Sequence, residues 1–357
     1  MWRRGHWGLV VAVCLALTGC GSAKQAYKYR IAVIPKGLTH EFWQSIHRGA
    51  ERAAADFKEQ HSLAVEVIWD GPTKENDTLA QISIIERNIP RVSGLVLAPQ
   101  HSQTMVAPVK QAVDKQVPVV IIDSGLANTD LIVKYIATDN YHGGVLAAQR
   151  LLRVLHEQGK PAPRLVLMRY QVGSESTERR EQGFEDTVNQ AIEGQKKKGE
   201  PTITWVSKDK YAGATKDTAL REAAPLLNNL RDKGVDGIFT PNESSTNGML
   251  EALRSLNMNK RVRLVGFDSS EPLLQALAEG ELDGLIVQDP YRMGYLGVWT
   301  MVQHLEGYDV TPDGRKEQST GENVITRENL EAPSTRELFD AGAQSQRKIA
   351  VPTYPKR

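Results

Sequence analysis

Cysteine is nearly absent from this chain of 357 residues, which has only Cys14 and Cys20. Both lie near the N-terminus, so the remainder of the sequence has no thiols from which to build a disulfide framework. Aromatic residues make up only 6% of the chain, and the formal net charge is +1. A charge so close to zero gives no reason to expect nucleic acid as a partner.

The usual sequence signatures of enzymes are also missing. No G-x-G-x-x-G follows the first predicted strand, which disfavours a dinucleotide site, and there is no G-x-S-x-G nucleophile elbow. His40 and Glu41 do not begin a zinc-binding helix, because the position that would need the second histidine is Gln44. The other histidines show no metal-ligand spacing. We therefore expect no enzymatic activity, no metal and no cofactor.

A short cationic stretch at the N-terminus is followed by an apolar run over residues 7–17. This run has the length of a signal-peptide core and is short for a membrane span. It ends in Leu17-Thr18-Gly19-Cys20, which resembles a bacterial lipobox, where cleavage precedes an acylated cysteine. We predict a signal peptide over 1–19, lipidation of Cys20 and a polar tether over 20–28, which places the protein in the periplasm or at the cell surface. An ordinary secretory signal with a chance cysteine is the alternative.

Beyond the tether, short β-branched runs alternate with segments of helical periodicity. The predicted strands cover residues 30–35, 63–69, 93–98, 117–123, 133–138, 164–169, 202–206, 235–240, 261–267 and 282–287. Most are continuously apolar, as expected for strands of a parallel sheet that is covered on both faces. Between them, segments such as 42–57 repeat apolar residues every three or four positions. The pattern predicts an α/β protein, and its restart near Asp139 indicates two doubly wound lobes.

Polar residues follow many of these strands, where ligands bind in open parallel sheets. Asp123, Arg180, Asn242, Asp268 and Gln288 form a set that suits a polyhydroxylated ligand, because carboxylates accept from hydroxyl protons, arginine donates and amides do both. The adjacent aromatic pair at 42–43 offers flat apolar faces for the C–H surfaces of a sugar ring.

With these residues the chain resembles a known family, the periplasmic sugar-binding proteins of the ribose/galactose type, also called type I periplasmic binding proteins. The resemblance extends from about residue 29 to 330. These proteins share a fold with the core of the LacI repressors. The matching motifs, in order, are Phe42-Trp43 with Gly49-Ala50, the strand ending in Asp123, Thr138-Asp139-Asn140 with Gly143-Gly144, Arg180-Glu181-Gln182-Gly183-Phe184, Asn242 after a strand, Val265-Gly266-Phe267-Asp268, and Gln288.

The resemblance implies two doubly wound parallel-sheet lobes joined by a hinge of about three crossings. It assigns 29–137 plus about 289–322 to the N-terminal lobe, and 138–288 plus about 323–330 to the C-terminal lobe. Residues 331–357 are left as a polar tail with three prolines, which we expect to be partly disordered.

The resemblance also implies a ligand shell. Its expected members are His40, Phe42, Trp43, Asp123, Ser124, Arg180, Tyr211, Asn242, Asp268 and Gln288. Two of them depart from the family pattern: His40 replaces a frequent asparagine, and Ser124 stands where ribose binders carry an arginine. These departures point away from ribose itself and leave the identity of the ligand open.

Structural alternatives exist for several of these residues. Either Phe42 or Trp43 can belong to the core, since neighbours on a helix cannot both face it. Asp123 and Asp268 can be helix N-caps, which is common for aspartate after a strand. Arg180 competes with its neighbour Arg179 for the ligand role, and loop lengths near Tyr211 vary.

Together these features predict an exported, lipid-anchored solute-binding protein that captures a small polar ligand, with a monosaccharide as the expected class, by lobe closure. It would deliver this ligand to an ABC transporter permease of the inner membrane. A sugar sensor that presents its closed form to a chemoreceptor or histidine kinase is the alternative. A repressor is disfavoured, because the signal peptide and tether occupy the place of a helix-turn-helix. We expect a monomer, with the lipid anchor as its membrane contact and no nucleic acid partner.

Overall fold

The structure, a computed structural model, describes residue 2 and residues 27–357. The predicted signal peptide and the lipidation of Cys20 lie outside the described residues. Within them, the strands are β1 (Tyr29–Ile34), β2 (Val65–Trp69), β3 (Gly94–Leu97), β4 (Val119–Ile122), β5 (Lys134–Ala137), β6 (Arg164–Arg169), β7 (Thr204–Tyr211), β8 (Gly237–Phe239), β9 (Arg263–Phe267), β10 (Gly284–Gln288), β11 (Glu317–Ser319) and β12 (Glu322–Ile325).

The helices alternate with these strands along the chain. They are α1 (Glu41–His61), α2 (Thr78–Asn88), α3 (Val106–Asp114), α4 (Asn140–Glu157), α5 (Glu175–Lys198), α6 (Lys216–Asn229), α7 (Glu243–Ser255), α8 (Glu271–Ala278), α9 (Pro290–Leu305), α10 (Pro333–Arg336) and α11 (Ala341–Gln346).

The strands form two six-stranded sheets with matching order. The first runs β11-β5-β4-β3-β1-β2 and is parallel throughout; the second runs β12-β10-β9-β8-β6-β7, with β12 antiparallel to β10. We call the first sheet with its helices the N-terminal lobe and the second the C-terminal lobe. In each sheet the winding reverses beside the first strand, between β1 and β3 and between β6 and β8. Doubly wound sheets bind ligands at such switch points.

The chain passes between the sheets three times: from β5 to α4, from β10 to α9, and from β11 to β12. The predicted α/β fold of two doubly wound lobes with about three crossings is therefore confirmed. The exact lobe limits stay a prediction.

Helices on both faces explain why the central strands are continuously apolar. In β4, Val120 and Ile122 pack with side chains of α1 and α9, whereas Val119 and Ile121 pack with those of α2 and α3. All four are fully buried. Strand burial on both faces thus follows directly from the doubly wound arrangement.

One helix pair in each lobe packs backbone to backbone. Gly49 and Gly294 bring α1 against α9, and Gly144 and Gly183 bring α4 against α5. A methyl group at Gly144 would collide with the backbone carbonyl of Arg180. The helices α4 and α9 begin at lobe crossings. These close contacts therefore hold the hinge end of α9 against α1 and that of α4 against α5.

The edge strands β11 and β12 were not predicted, because both are short, largely polar and partly exposed. The three lysines at 196–198 form the last turn of α5. Cations are favourable at a helix C-terminus, and Gly199 with φ of 70° caps it.

The expectation of a partly disordered tail is wrong. Leu338 is buried in the C-terminal lobe, while Gln344, fully buried, accepts hydrogen bonds from Ser45 Oγ and Arg48 Nη2 on α1 at 3.3 and 2.9 Å. Further on, Tyr354 accepts a hydrogen bond from Lys134 Nζ at 3.3 Å. The tail therefore crosses from the C-terminal lobe to the N-terminal lobe. It is ordered because the apolar side chains that recur among its polar ones are buried against both lobes.

The two ends of the segment 27–357 lie together. Lys28 Nζ is 2.5 Å from Glu306 Oε1, and the Arg357 amide donates to the Gly307 carbonyl at 2.9 Å. Both contacts lie just beyond the end of α9 that is opposite the hinge. Within residues 2 and 27–357, no helix has both the length and the apolarity needed to cross a bilayer.

Candidate ligand-binding site

A small cavity of about 20 Å³ lies between the lobes, at the carboxyl ends of the central strands. It is lined by Lys36, His40, Phe42, Trp43, Glu75, Asp123, Tyr170, Ser176, Thr177, Arg180, Asn242, Asp268 and Gln288. Pockets for small organic molecules usually measure roughly 300–1,000 Å³. The lining side chains or the lobes must therefore separate to admit a molecule of that size.

Lys36 and Asp123 form a buried ion pair in the N-terminal lobe. Lys36 follows β1 and its Nζ lies 2.8 Å from Asp123 Oδ2, which follows β4. The same Nζ donates to Ser176 Oγ of α5 at 3.0 Å. The pair thus reaches across the cleft to the N-terminal turn of a helix from the other lobe.

Glu75 gathers a second set of contacts around the first helix. Its Oε1 lies 2.5 Å from His40 Nδ1 and accepts a hydrogen bond from Trp43 Nε1 at 2.8 Å. Its Oε2 accepts from the hydroxyl of Tyr170, in the C-terminal lobe, at 2.7 Å. Each carboxylate oxygen is therefore occupied, and the second one joins the lobes.

The His40–Glu75 contact is an ion pair between charged groups. Burial by itself lowers the pKa of His40, but the Glu75 carboxylate outweighs it and raises this pKa to about 9. Burial likewise opposes the charge of Glu75, and the His40 imidazolium nevertheless lowers the pKa of that carboxyl to about 2. Burial also raises the pKa of Glu243, at the start of α7, to about 7.

Arg180 on α5 is held at three points. Its Nε donates to Asn140 Oδ1 at 2.8 Å, its Nη1 donates to the Pro241 carbonyl at 2.9 Å, and its guanidinium lies 3.9 Å from the centre of the Phe267 ring. The remaining nitrogen, Nη2, is buried without a hydrogen-bond partner. A buried donor without a partner is costly, so a ligand oxygen would stabilise it.

Asp123 and Asp268 occupy equivalent positions in the two lobes. They follow β4 and β9, and both adopt left-handed backbone conformations, with φ of 63° and 71°. Each amide continues the ladder to the neighbouring strand, to Ile136 and Ile286. Non-glycine residues at such angles are strained and cluster at functional sites.

Asp268 organises the C-terminal side of the cavity. Its Oδ2 accepts from the Glu243 amide at 2.8 Å, and its Oδ1 accepts from Gln288 Nε2 at 2.7 Å. Gln288 in turn accepts from Thr138 Oγ1 at 3.0 Å, which links two of the three hinge crossings. Burial raises the pKa of Asp268. The aspartate therefore connects the cavity directly with the hinge.

Eight of the ten predicted shell residues line this cavity. Ser124 and Tyr211 do not: Ser124 Oγ accepts from the Ser176 amide at 3.0 Å, and Tyr211 lies 43% exposed at the end of β7. Tyr211 ends β7, an edge strand, and does not line this cavity. Ligand contact stays a prediction for all ten residues.

The structure distinguishes the alternative roles of Arg180 and Arg179, of Phe42 and Trp43, and of Asp268. Arg180 is 2% exposed within the cavity, whereas Arg179 is on the surface. Trp43 belongs to the core and also reaches the cavity, while Phe42 is half-buried there. Asp268 does not cap α8, the helix that follows it, whose N-cap is Ser270.

Five lining residues were missing from the predicted shell: Lys36, Glu75, Tyr170, Ser176 and Thr177. Tyr170 directly follows β6 and Lys36 lies two residues after β1, so position after a strand is a signal that could have identified them. Glu75 lies in the loop between β2 and α2, where neither a motif nor a strand end distinguishes it.

The site is built for binding through hydrogen bonds and ion pairs. Its lining combines three cationic side chains with carboxylates, amides, hydroxyls and two adjacent aromatic rings, whose centroids are 4.9 Å apart. In the part of the chain that the structure describes, no cluster of three or more His, Cys, Asp or Glu residues has the geometry to hold a metal ion.

Comparison with known proteins agrees with this architecture. A family described as periplasmic binding protein domain matches residues 31–309. The D-ribose/D-allose-binding protein of Pseudomonas aeruginosa is 26% identical over 317 residues, covering 85% of this chain and 92% of the relative. A ribose import binding protein of Haemophilus influenzae is 28% identical over 303 residues, covering 85% and 94%.

Solved structures lead to the same family. The periplasmic component of an ABC-type sugar transport system from Hahella chejuensis is 30% identical, with a TM-score of 0.74 over 83% of this chain and 99% of that one. A carbohydrate transporter solute-binding protein from Agrobacterium radiobacter, in complex with D-arabinose, is 29% identical, with a TM-score of 0.75 over 88% and 100%. These relatives are solute-binding proteins and not enzymes, and this chain belongs to the periplasmic binding protein family.

Proposed function

We propose that this protein is an exported solute-binding protein that captures a neutral monosaccharide or a closely related polyol between its lobes and delivers it to an ABC transporter permease. The observation that carries the proposal is the interlobe cavity, to which each lobe contributes an aspartate at the end of an equivalent strand, Asp123 and Asp268. A ligand held by both binds the closed form better than the open form and shifts the population towards it.

The lining supports a polyhydroxylated ligand. Arg180 Nη2 offers an unused donor, and Asn242 lies at the cavity while capping α7 through a hydrogen bond from the Ser245 amide. Phe42 presents an apolar ring. Relatives are named for binding ribose and allose or are solved with D-arabinose or D-fucose, all of which are neutral sugars.

A thermal-shift screen over pentoses, hexoses, deoxysugars and polyols tests the ligand class. A ligand present at about 100 times its dissociation constant should stabilise the folded protein by about 2.7 kcal/mol, which raises the melting temperature by several degrees. Asp268→Ala should abolish the shift produced by the best ligand. A screen in which no sugar or polyol shifts the transition would contradict the proposal.

The envelope location and the anchor belong to the same proposal. Relatives act in the periplasm by name, and the Leu17-Thr18-Gly19-Cys20 motif supports acylation of Cys20. Expressed in a bacterial host with labelled palmitate, the wild-type protein should carry the label and sediment with membranes. Cys20→Ser should be unlabelled; a Cys20→Ser protein that still sediments with membranes would contradict the lipid anchor.

Delivery to a permease is tested in the organism that encodes the chain. Deletion of the gene should reduce uptake of the radiolabelled sugar found in the screen, and Arg180→Lys should fail to restore it. If uptake is unchanged while a transcriptional or chemotactic response to the sugar is lost, the sensory role is supported instead.

A further inference from the structure

A second and larger cavity adjoins the first. Its volume is about 350 Å³, within the range that small-molecule sites usually occupy. Phe42, Asp268 and Gln288 line both cavities, so the two spaces share a wall in the middle of the cleft. We call the larger space the outer compartment.

The C-terminal tail forms one wall of the outer compartment. Leu338, Phe339 and Ala341 line it on one side. The segment is fixed at both ends: Leu338 is buried in the C-terminal lobe, and Arg347 Nη2 lies 2.7 Å from Asp289 Oδ2 at the hinge. This wall lies outside residues 31–309, which the periplasmic binding protein family matches. The outer compartment therefore depends on a part of this chain beyond the family core.

The other walls carry the groups that sugars require. Arg48 on α1 reaches the compartment and is held by Gln344. Ser269 and Ser270, which follow Asp268, offer hydroxyls, and Glu243 offers a carboxylate. These donors and acceptors come from both lobes and, together with the half-buried ring of Phe339, suit the polar edge and the apolar face of a second ring.

We propose that the outer compartment is a second subsite of the same ligand site, so that a disaccharide or another glycoside binds more tightly than the monosaccharide that occupies the central cavity alone, with its next group against the C-terminal tail. This inference rests on the proposed function, because it requires a sugar in the central cavity. It assigns the tail a direct role in selecting ligands by length.

Calorimetric titration of the full-length mature protein tests this. The monosaccharides are D-ribose, D-allose, D-arabinose and D-fucose; the disaccharides are maltose, cellobiose, lactose, melibiose, trehalose and sucrose. At least one disaccharide should bind about tenfold more tightly than the best monosaccharide, because the second subsite adds contacts worth about 1.4 kcal/mol.

Ala341→Trp then tests the compartment itself. Ala341 is exposed at the start of α11, so a larger side chain there can fill the space with little effect on the core. The variant should lower disaccharide affinity about tenfold more than monosaccharide affinity. Ser345→Trp, exposed on the same helix but outside the compartment, is the matched control and should bind both classes like wild type.

The outcomes separate this inference from the proposed function. Monosaccharides that bind more tightly than every disaccharide, or equal losses for both classes in Ala341→Trp, would overturn the second subsite and leave the sugar-binding function intact. Binding of neither class would overturn both.

Discussion

The hydroxyl of Tyr170 in the C-terminal lobe donates a 2.7 Å hydrogen bond to Glu75 Oε2 in the N-terminal lobe. Beside it, Gln171 Nε2 donates to the Glu75 backbone carbonyl at 3.2 Å. Both bonds cross the cleft, so separation of the lobes would break them, and both partners of the first are buried. Protein groups therefore hold the closed form in addition to any contacts made by the ligand.

Tyr170→Phe should weaken ligand binding by about tenfold or more, because a hydrogen bond to a charged group contributes roughly 1.5–3 kcal/mol to the closed form. Calorimetry measures the affinity, and small-angle scattering should show a larger radius of gyration without ligand. Tyr141→Phe is the control, since its hydroxyl bonds Asp186 within one lobe at 3.1 Å. Equal affinity and equal scattering for Tyr170→Phe and wild type would show that this bond does not hold the lobes together.

His40 should make stability depend on pH through its ion pair with Glu75. The pKa of His40 in the folded protein is about 9, above its ordinary value of 6.5, so its contribution is complete below pH 6.5 and is lost as pH rises through 9. The pKa of Glu75 is lowered from 4.5 to about 2, so its contribution is present above pH 4.5 and is lost as pH falls through 2. The full contribution of the pair lies between pH 4.5 and 6.5.

We therefore expect His40→Asn to cost about 3–5 kcal/mol of unfolding free energy at about pH 6, and much less above pH 9. Glu181 and Glu243, each with a pKa raised to about 7 chiefly by burial, also reduce stability as pH rises between 4.5 and 7. Urea denaturation of variant and wild type across pH distinguishes the contribution of His40 from those of Glu181 and Glu243, because both proteins contain the two glutamates. His142→Asn, at a half-exposed pair with Glu322, should differ little from wild type at any pH. A wild-type advantage that stays constant from pH 6 to 10 would contradict the assignment.

Arg180→Lys should lower sugar affinity by at least about thirtyfold, because lysine keeps the charge but carries its three donors on one nitrogen, which cannot reproduce the separate positions of Nε, Nη1 and Nη2. Calorimetry on the best ligand of the screen measures the loss. Arg179→Lys, next to it on the exposed side of α5, should bind like wild type. If the two variants bind equally well, the guanidinium is not part of the site.

Gly144→Ala should lower the unfolding free energy by about 1–3 kcal/mol or more, because the added methyl group overlaps the Arg180 carbonyl and forces α4 from α5. Gly194→Ala, in the same helix pair but facing open space, should raise it by about 0.5–1 kcal/mol. Chemical denaturation compares them. Equal effects of the two substitutions would mean that α4 and α5 are not closely packed.

All ten strands predicted from apolar runs are present, and the central ones are apolar throughout because they are buried on both faces. Pattern alone misses β11 and β12, which lie at sheet edges and satisfy their backbone through pairing without a continuous apolar run. The C-terminal tail was misjudged for a related reason. Isolated side chains such as Leu338 and Tyr354 bury themselves against surfaces made by distant parts of the chain.

The candidate site shows the same division. Asp123, Asp268 and Gln288 were predictable, because the carboxyl ends of parallel strands meet at one edge and the family motifs mark them. Glu75 was not, since its importance depends on His40, Trp43 and Tyr170 converging from three separate segments. No local pattern encodes such a meeting point.

Both ends of segment 27–357 meet beyond α9, at Glu306 and Gly307 on the N-terminal lobe. With Cys20 acylated as proposed, a tether of nine residues reaches at most about 30 Å, so the N-terminal lobe stays close to the bilayer. The C-terminal lobe is connected to the membrane only through the N-terminal lobe. A membrane partner would detect ligand binding as movement of the C-terminal lobe. A fluorescent tag fused after Arg357 would lie beside the tethered end of the N-terminal lobe and would move little when the cleft closes.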